Sequence, residues 1–304
     1  MVPRKPFVLA GILAGTFLFG GVVMSANTDY YDTLAEDYHL LYRDWEASME
    51  REGLMLRRWF KDRKIVTVLD ASCGTGTQAI ALAQIGYRVL ASDPSANMVK
   101  KAQENALAYG VGDRIHFLQA GFLDIARMTN GNLDAIVTKG DAFPHLITDR
   151  DIEETLAGFY RLLRIGGTVL IGMLDFEPLL EERPRFMPGR VHDPIANQGE
   201  RIVVFEVWDW DDGPPRIVTK NKFIVRGESD SYTTKVYPVQ CRPLTAEEVQ
   251  VVLLEAGFVD IEVIHDRSEL VMIATKPDPN ATAASIASQR LKAMKAEEIG
   301  HEGT

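Results

Sequence analysis

The 304-residue chain predicts an α/β fold: a doubly wound, mostly parallel seven-stranded sheet of Rossmann-like type, with an antiparallel β insertion as a lid. Three observations carry this. An apolar run ending on Asp70 opens into Gly74-Thr75-Gly76, a helical pattern and a second apolar run ending on Asp93. Further apolar runs then alternate with helical periodicity, as strand–helix units of a parallel sheet do. Late in the chain, three β-rich segments follow one another with no helix between them.

The elements follow in order. Arg4 and Lys5 precede an uncharged run from Phe7 to Met24, long enough for a signal peptide or a marginal membrane span. From Tyr31 to Phe60, apolar residues at helical spacing predict two helices broken near Gly53. Residues 61–276 form the main domain. After the first crossover come a helix (Asn97–Tyr109), a strand (Ile115–Leu118), a loop from Gly121-Phe122 and a strand (Leu133–Val137). A helix over Asp151–Leu163 is stopped by Gly166-Gly167 and feeds the strand Thr168–Ile171. Residues 177–200, rich in Pro, Arg and Glu, read as a loop opening the insertion of about 177–240. Arg201–Trp210 and Arg216–Arg226 form a hairpin through Asp211–Pro215, and Ser231–Val239 adds a strand. A helix (Ala246–Ala256) and two strands (Val259–Ile264, Leu270–Thr275) close the domain. Residues 277–304 form a peripheral tail with a short helix over Ser285–Glu297, and the sequon at Asn280 carries no weight.

Composition narrows the function. A hydrophobic fraction of 46% and a charged fraction of 25% are those of an ordinary globular protein. A formal net charge of -10 disfavours nucleic acid, whose backbone needs basic surface. Two cysteines, Cys73 and Cys241, give no disulfide framework, and Cys73 reads as a small packing residue in the glycine turn.

The glycine turn implies a nucleoside-containing cofactor, with Asp93 placed to accept both ribose hydroxyls. Gly74, Gly76 and Ala79 also satisfy the dinucleotide pattern. Asp70 argues against that ligand, because a carboxylate there would meet the pyrophosphate; a cofactor with a cationic end would be attracted.

The strings VLDASCGTGT, KGDAFPHL and LLRIGGTVLI, the Asp93 strand end and YDTLAEDYHLLYRDWEASMER resemble the class I S-adenosylmethionine-dependent methyltransferases, over roughly Asp29 to Lys276. Within them the chain is most similar to the glycine N-methyltransferase group and its bacterial relatives. The resemblance implies S-adenosyl-L-methionine as cofactor and N-methylation of a small-molecule amine. Small-molecule O-methylation, an NAD-dependent oxidoreductase and a non-catalytic S-adenosylmethionine-binding protein stand as alternatives. It places Asp70, Ser72, Gly74 and Gly76 at the methionine end, Met98, Gly121 and Phe122 around the adenine, and Lys139 at the methionine carboxylate or substrate. Tyr38, Tyr42 and Arg51, in the N-terminal helical segment 24–60, would close over the cofactor. Asp141, His145 and Tyr31 are the candidate catalytic residues. For Met98, Phe122 and the tyrosines, ordinary core packing is the competing reading, and for His145 a structural hydrogen-bonding role. No metal is expected.

Two departures bear on the acceptor. Leu174 falls where glycine N-methyltransferases carry a carboxylate-binding arginine, and Asp141 replaces a neutral amide; together they point to a cationic amine. Arg183, Arg185 and Arg190 are the alternative anchors. Because S-adenosylmethionine is made in the cytosol, Met24 is the expected start of a cytoplasmic protein, with residues 1–23 a mis-assigned leader. The competing expectation is a membrane anchor. By analogy with relatives, a homo-oligomer is expected through the N-terminal segment.

Overall fold

A computed structural model describes residues 26–192, 200–228 and 230–279. The leader with Met24, the tail helix and Asn280 lie outside the described residues.

Seven strands form the main sheet: β1 (Thr67–Asp70), β2 (Arg88–Asp93), β3 (Ile115–Gln119), β4 (Leu133–Thr138), β5 (Leu163–Leu174), β10 (Val259–Asp266) and β11 (Glu269–Thr275). Their order is β3-β2-β1-β4-β5-β11-β10, and only the pairings of β11 are antiparallel. Helices cover both faces, so successive apolar residues of one strand serve opposite cores. Val68, Val137 and Leu170 pack with Leu56, Ile80 and Ala102 from α2 (Trp45–Trp59), α3 (Thr77–Gln84) and α4 (Ala96–Ala108). Leu69, Ile136 and Ile171 pack on the other side with Ile125, Phe159 and Leu253 from α5 (Phe122–Met128), α6 (Asp149–Leu162) and α8 (Ala246–Glu255).

A second, antiparallel sheet has the order β6-β7-β8-β9: β6 (Phe186–His192), β7 (Arg201–Asp211), β8 (Ile217–Glu228) and β9 (Ser231–Cys241). Its inner face buries Ile202, Val204, Ile224 and Tyr237 against Tyr30, Leu34 and Leu40. Those three come from α1 (Ala26–Leu34) and the 3-10 turn Tyr38–Leu41. Asp37, 4% exposed, fastens this contact, accepting hydrogen bonds from Arg226 (2.5 Å), Lys235 (2.9 Å) and Tyr237 (2.7 Å). Asp32 ties the same segment to α4 through Ser95 and the Asn97 N–H. The N-terminal segment therefore bridges the main sheet and the lid.

Four expectations need correction. Segment 177–200 begins with α7 (Glu177–Glu182) and strand β6. Pro188 obscured that strand, yet β6 is an edge, where a missing N–H is tolerated. Gly53 lies inside α2, buried against α3, and the chain breaks earlier, between residues 34 and 45. Gly166-Gly167 does not stop the helix but sits within β5, bonded to Lys276 of the segment after β11. Phe122 opens a short helix rather than a loop.

Candidate functional site

The strand tips of β1 and β2 carry Asp70 and Asp93, both buried, at 1% and 7% exposure. The turn between β1 and α3 is left-handed at Gly74 (φ 51°) and Gly76 (φ 99°), a conformation that side chains disfavour. Asp93 accepts the N–H of Gly74 and of Ser95, each at 3.0 Å, so it holds the glycine turn against the start of α4. Asp70 is less satisfied. One oxygen accepts the Ser72 N–H at 3.4 Å, while the other, buried, has no hydrogen-bond partner among the described residues. Burial, with Asp93 and Glu52 nearby, pushes its pKa up to about 7. Burial likewise pushes Asp93 up to about 6.

Six further residues expected at the cofactor fall into three groups. Ser72 bonds Thr138 Oγ1 at 3.0 Å, joining the tips of β1 and β4. Met98 is fully buried at the start of α4; Gly121 caps α5, and Phe122 packs edge-on against Phe159 at 5.8 Å. Tyr38 lies over Gly74, and Tyr42 bonds Thr77 Oγ1 at 3.2 Å, so both cover the glycine turn.

Arg51 points away. It lies on the exposed face of α2 and bonds Ser48 at 3.1 Å. Its neighbour Glu52 turns inward, since one residue on a helix is a rotation of about 100°. Lys139, 4% exposed, pairs with Glu52 at 2.8 Å and Glu269 at 3.1 Å, with its ammonium over the Trp59 ring. It is a buried counter-charge rather than a solvated surface lysine.

The expected catalytic residues converge. A cavity of about 550 Å³ lies between the N-terminal segment, the loop after β4 and the inner face of the lid. Tyr31, Asp141 and His145 all line it. The Tyr31 hydroxyl stands 2.7 Å from His145 Nε2, and His145 Nδ1 stands 3.0 Å from the Gln240 carbonyl. A carbonyl only accepts, so Nδ1 carries the hydrogen, and Nε2 accepts from Tyr31. Burial lowers the His145 pKa against the opposing pull of Gln240 and Asp141, keeping the ring neutral.

Asp141 has φ 67° and forms an ion pair with Lys220 of β8, while its other oxygen accepts the Leu174 N–H at 3.3 Å. Lys220 is buried, with its ammonium 4.9 Å from the Phe176 ring and 4.7 Å from Trp208. Burial alone would lower its pKa; Asp141 and the surrounding groups hold it raised. The expectation of a cationic amine drawn by Asp141 is therefore overturned: that charge already has a partner. Glu206 is matched in the same way, by Lys222. Sequence reasoning missed Lys220, Lys222, Glu206 and Glu52. In strand β8, Lys220 and Lys222 share the period of the inward-facing Val218 and Ile224, and that is the signal that marked them.

The family described as Methyltransferase domain matches residues 68–167, from β1 into β5. A glycine/sarcosine/dimethylglycine N-methyltransferase from Actinopolyspora halophila is 34% identical over 138 residues, 45% of this chain and 24% of that protein. A glycine/sarcosine N-methyltransferase from Aphanothece halophytica is 27% identical over 80% of this chain and 84% of its own. Residues 68–167 are thus a methyltransferase domain. S-adenosylmethionine is the cofactor that the resemblance implies. Similarity nevertheless spans only 24% to 56% of the length of three such relatives. The fold is shared with the CcbJ methyltransferase of Streptomyces caelestis, with a TM-score of 0.66 at 17% identity, over 84% of this chain and all of that chain. The residues present fit the cofactor: the unpartnered Asp70 oxygen suits a cationic ligand end, and the left-handed turn lets the main chain approach it. Among the described residues no helix is long and apolar enough to cross a membrane, and no cluster could hold a metal ion.

Proposed function

We propose that this protein methylates the nitrogen of a small-molecule amine. When bound, S-adenosylmethionine supplies a methyl group made electrophilic by its sulfonium, and the chain's residues do the rest. Asp70 and the main chain of the Ser72–Gly76 turn would hold the methionine end, and Asp93 the ribose. Met98, Gly121 and Phe122 would flank the adenine. Tyr38 and Tyr42 would shut the site from above, and Lys139 would balance the acids around it. Holding the reactants in line and dry accounts for several kcal/mol of such catalysis.

The observation that carries the reading is the Tyr31–His145–Gln240 chain at the cavity wall. An ammonium must lose a proton before it can attack. Tyr31 would take that proton as its own passes to His145 Nε2, leaving imidazolium with Nδ1–H still on the Gln240 carbonyl. The Gln240 carbonyl and Asp141 favour that charge, and burial and Lys220, the partner of Asp141, oppose it. The Aphanothece relative's glycine/sarcosine N-methyltransferase name supports nitrogen as the acceptor atom. A cytoplasmic location, where the cofactor is made, belongs to the same reading.

The test is S-adenosylhomocysteine release with a panel of primary and secondary amines and matched alcohols. Tyr31→Phe and His145→Gln are each expected to lower kcat about 10²-fold, in the range of one acid–base group, while leaving cofactor affinity unchanged. Turnover of alcohols but not amines would replace the reading with O-methylation. Undiminished turnover in both variants would remove the relay.

A further inference from the structure

The charges lining the cavity are matched with one exception. Asp141 pairs with Lys220, Glu206 with Lys222 and Glu269 with Lys139. Arg190, also lining it and exposed, has no carboxylate partner among the described residues. The other two arginines of this region are occupied: Arg183 by Asp212 at 2.6 Å, and Arg185 by Asp209 at 2.7 Å.

The backbone around Arg190 is built for its placement. Register along β6 and β7 runs from Pro188↔Phe205 to Val191↔Val203, so Gly189 and Arg190 together face Val204. This is a β-bulge, which re-aims a side chain and is common beside active sites. A Cβ on Gly189 would stand 2.2 Å from the Val204 carbonyl oxygen, so only glycine permits the approach. Leu174 is apolar and lines the same cavity. A volume of about 550 Å³ lies within the range of pockets that hold drug-sized ligands, and glycine would fill only a small part of it. Leu34, Met173, Met187 and Val239 supply an apolar wall.

We propose that Arg190 is the specificity-determining anchor of the site, binding the acidic group of an amine acceptor with an apolar body larger than glycine. The acceptor part rests on the methyl-transfer reading; the anchor itself does not. A guanidinium recognises a carboxylate or a phosphate by the same paired hydrogen bonds. The experiment therefore titrates the S-adenosylhomocysteine-loaded full chain with phenylacetate and with phenyl phosphate. Turnover of phenylalanine is compared with that of phenethylamine in wild type, Arg190→Gln and Arg190→Lys.

The expected result is binding of at least one acid that Arg190→Gln weakens tenfold or more and Arg190→Lys partly restores. KM for the acid-bearing amine should rise in Arg190→Gln with kcat kept, and phenethylamine should be the poorer substrate. Preference for phenyl phosphate over phenylacetate would assign the oxyanion as phosphate. Equal binding by wild type and Arg190→Gln, or no binding of either acid, would overturn the anchor. Arg190-dependent acid binding with no methylation of any amine would keep the anchor and refute amine methylation. Amine methylation indifferent to Arg190 would do the reverse.

Discussion

The glycine turn and the lid cavity both bury carboxylates, but they neutralise them differently. Among the described residues around the turn, Asp70 keeps an unpartnered oxygen, Asp93 is satisfied only by main-chain N–H groups, and Lys139 alone stands against Glu52 and Glu269. In the cavity, Asp141 and Glu206 each have a lysine of β8. An end with surplus buried acid is neutralised by protonation or by a cationic ligand. A wall of matched pairs contributes shape and order, and leaves recognition to Arg190, which has no carboxylate partner among the described residues, and to the hydrogen-bonded Tyr31–His145 pair. Burial cost explains the division, because an ion taken from water must find its partner in the protein or in the ligand.

The sharpest way to break this contrast is to unpair the cavity. Lys220→Met should destabilise the protein by about 3–5 kcal/mol, since it leaves Asp141 buried without a counter-charge. Lys220→Met with Asp141→Asn should recover most of that loss in denaturant titration. If the single variant were as stable as wild type, the pair would not be a structural element of the lid.

At the other end, Asp93→Ala should weaken S-adenosylmethionine binding about 100-fold, because it removes an acceptor and strands the Gly74 and Ser95 N–H groups. Equilibrium titration checks it, and an affinity within threefold of wild type would detach Asp93 from the cofactor. The smallest effect is expected from Arg51→Ala, under about 0.5 kcal/mol in stability and less than threefold in cofactor affinity, as for most exposed substitutions. A large loss of affinity there would mean that Arg51 leaves its Ser48 contact to reach the ligand.

How far each end was legible in the sequence follows from the same contrast. The turn, Asp70, Asp93 and Ser72 lie within one crossover, so local spacing alone brings them together. The cavity draws on residues near positions 31, 141–145, 190 and 206–222, and no local pattern links Lys220 to Asp141. A stripe of tyrosines was visible, and Tyr31 could be tied to His145 only once α1 was seen to cross from sheet to lid. Arg51 was a one-residue slip on a helix whose register the sequence left loose. Strand β6 was missed because its bulge at Gly189 breaks the alternation by which strands are recognised.

The central claim is that the buried acids of the glycine turn await a cation, and proton linkage tests it directly. Burial raises the Asp70 pKa from its ordinary value to about 7, so in the free protein near neutral pH it is partly protonated. A cationic ligand favours the ionised form, so binding must expel a proton and affinity must rise with pH up to about 7. Calorimetric titration with S-adenosylmethionine at pH 6.5, in two buffers of different ionisation enthalpy, measures this. The account predicts net proton release that Asp70→Asn abolishes. Binding with no proton release, or binding of NAD in place of S-adenosylmethionine, would contradict it.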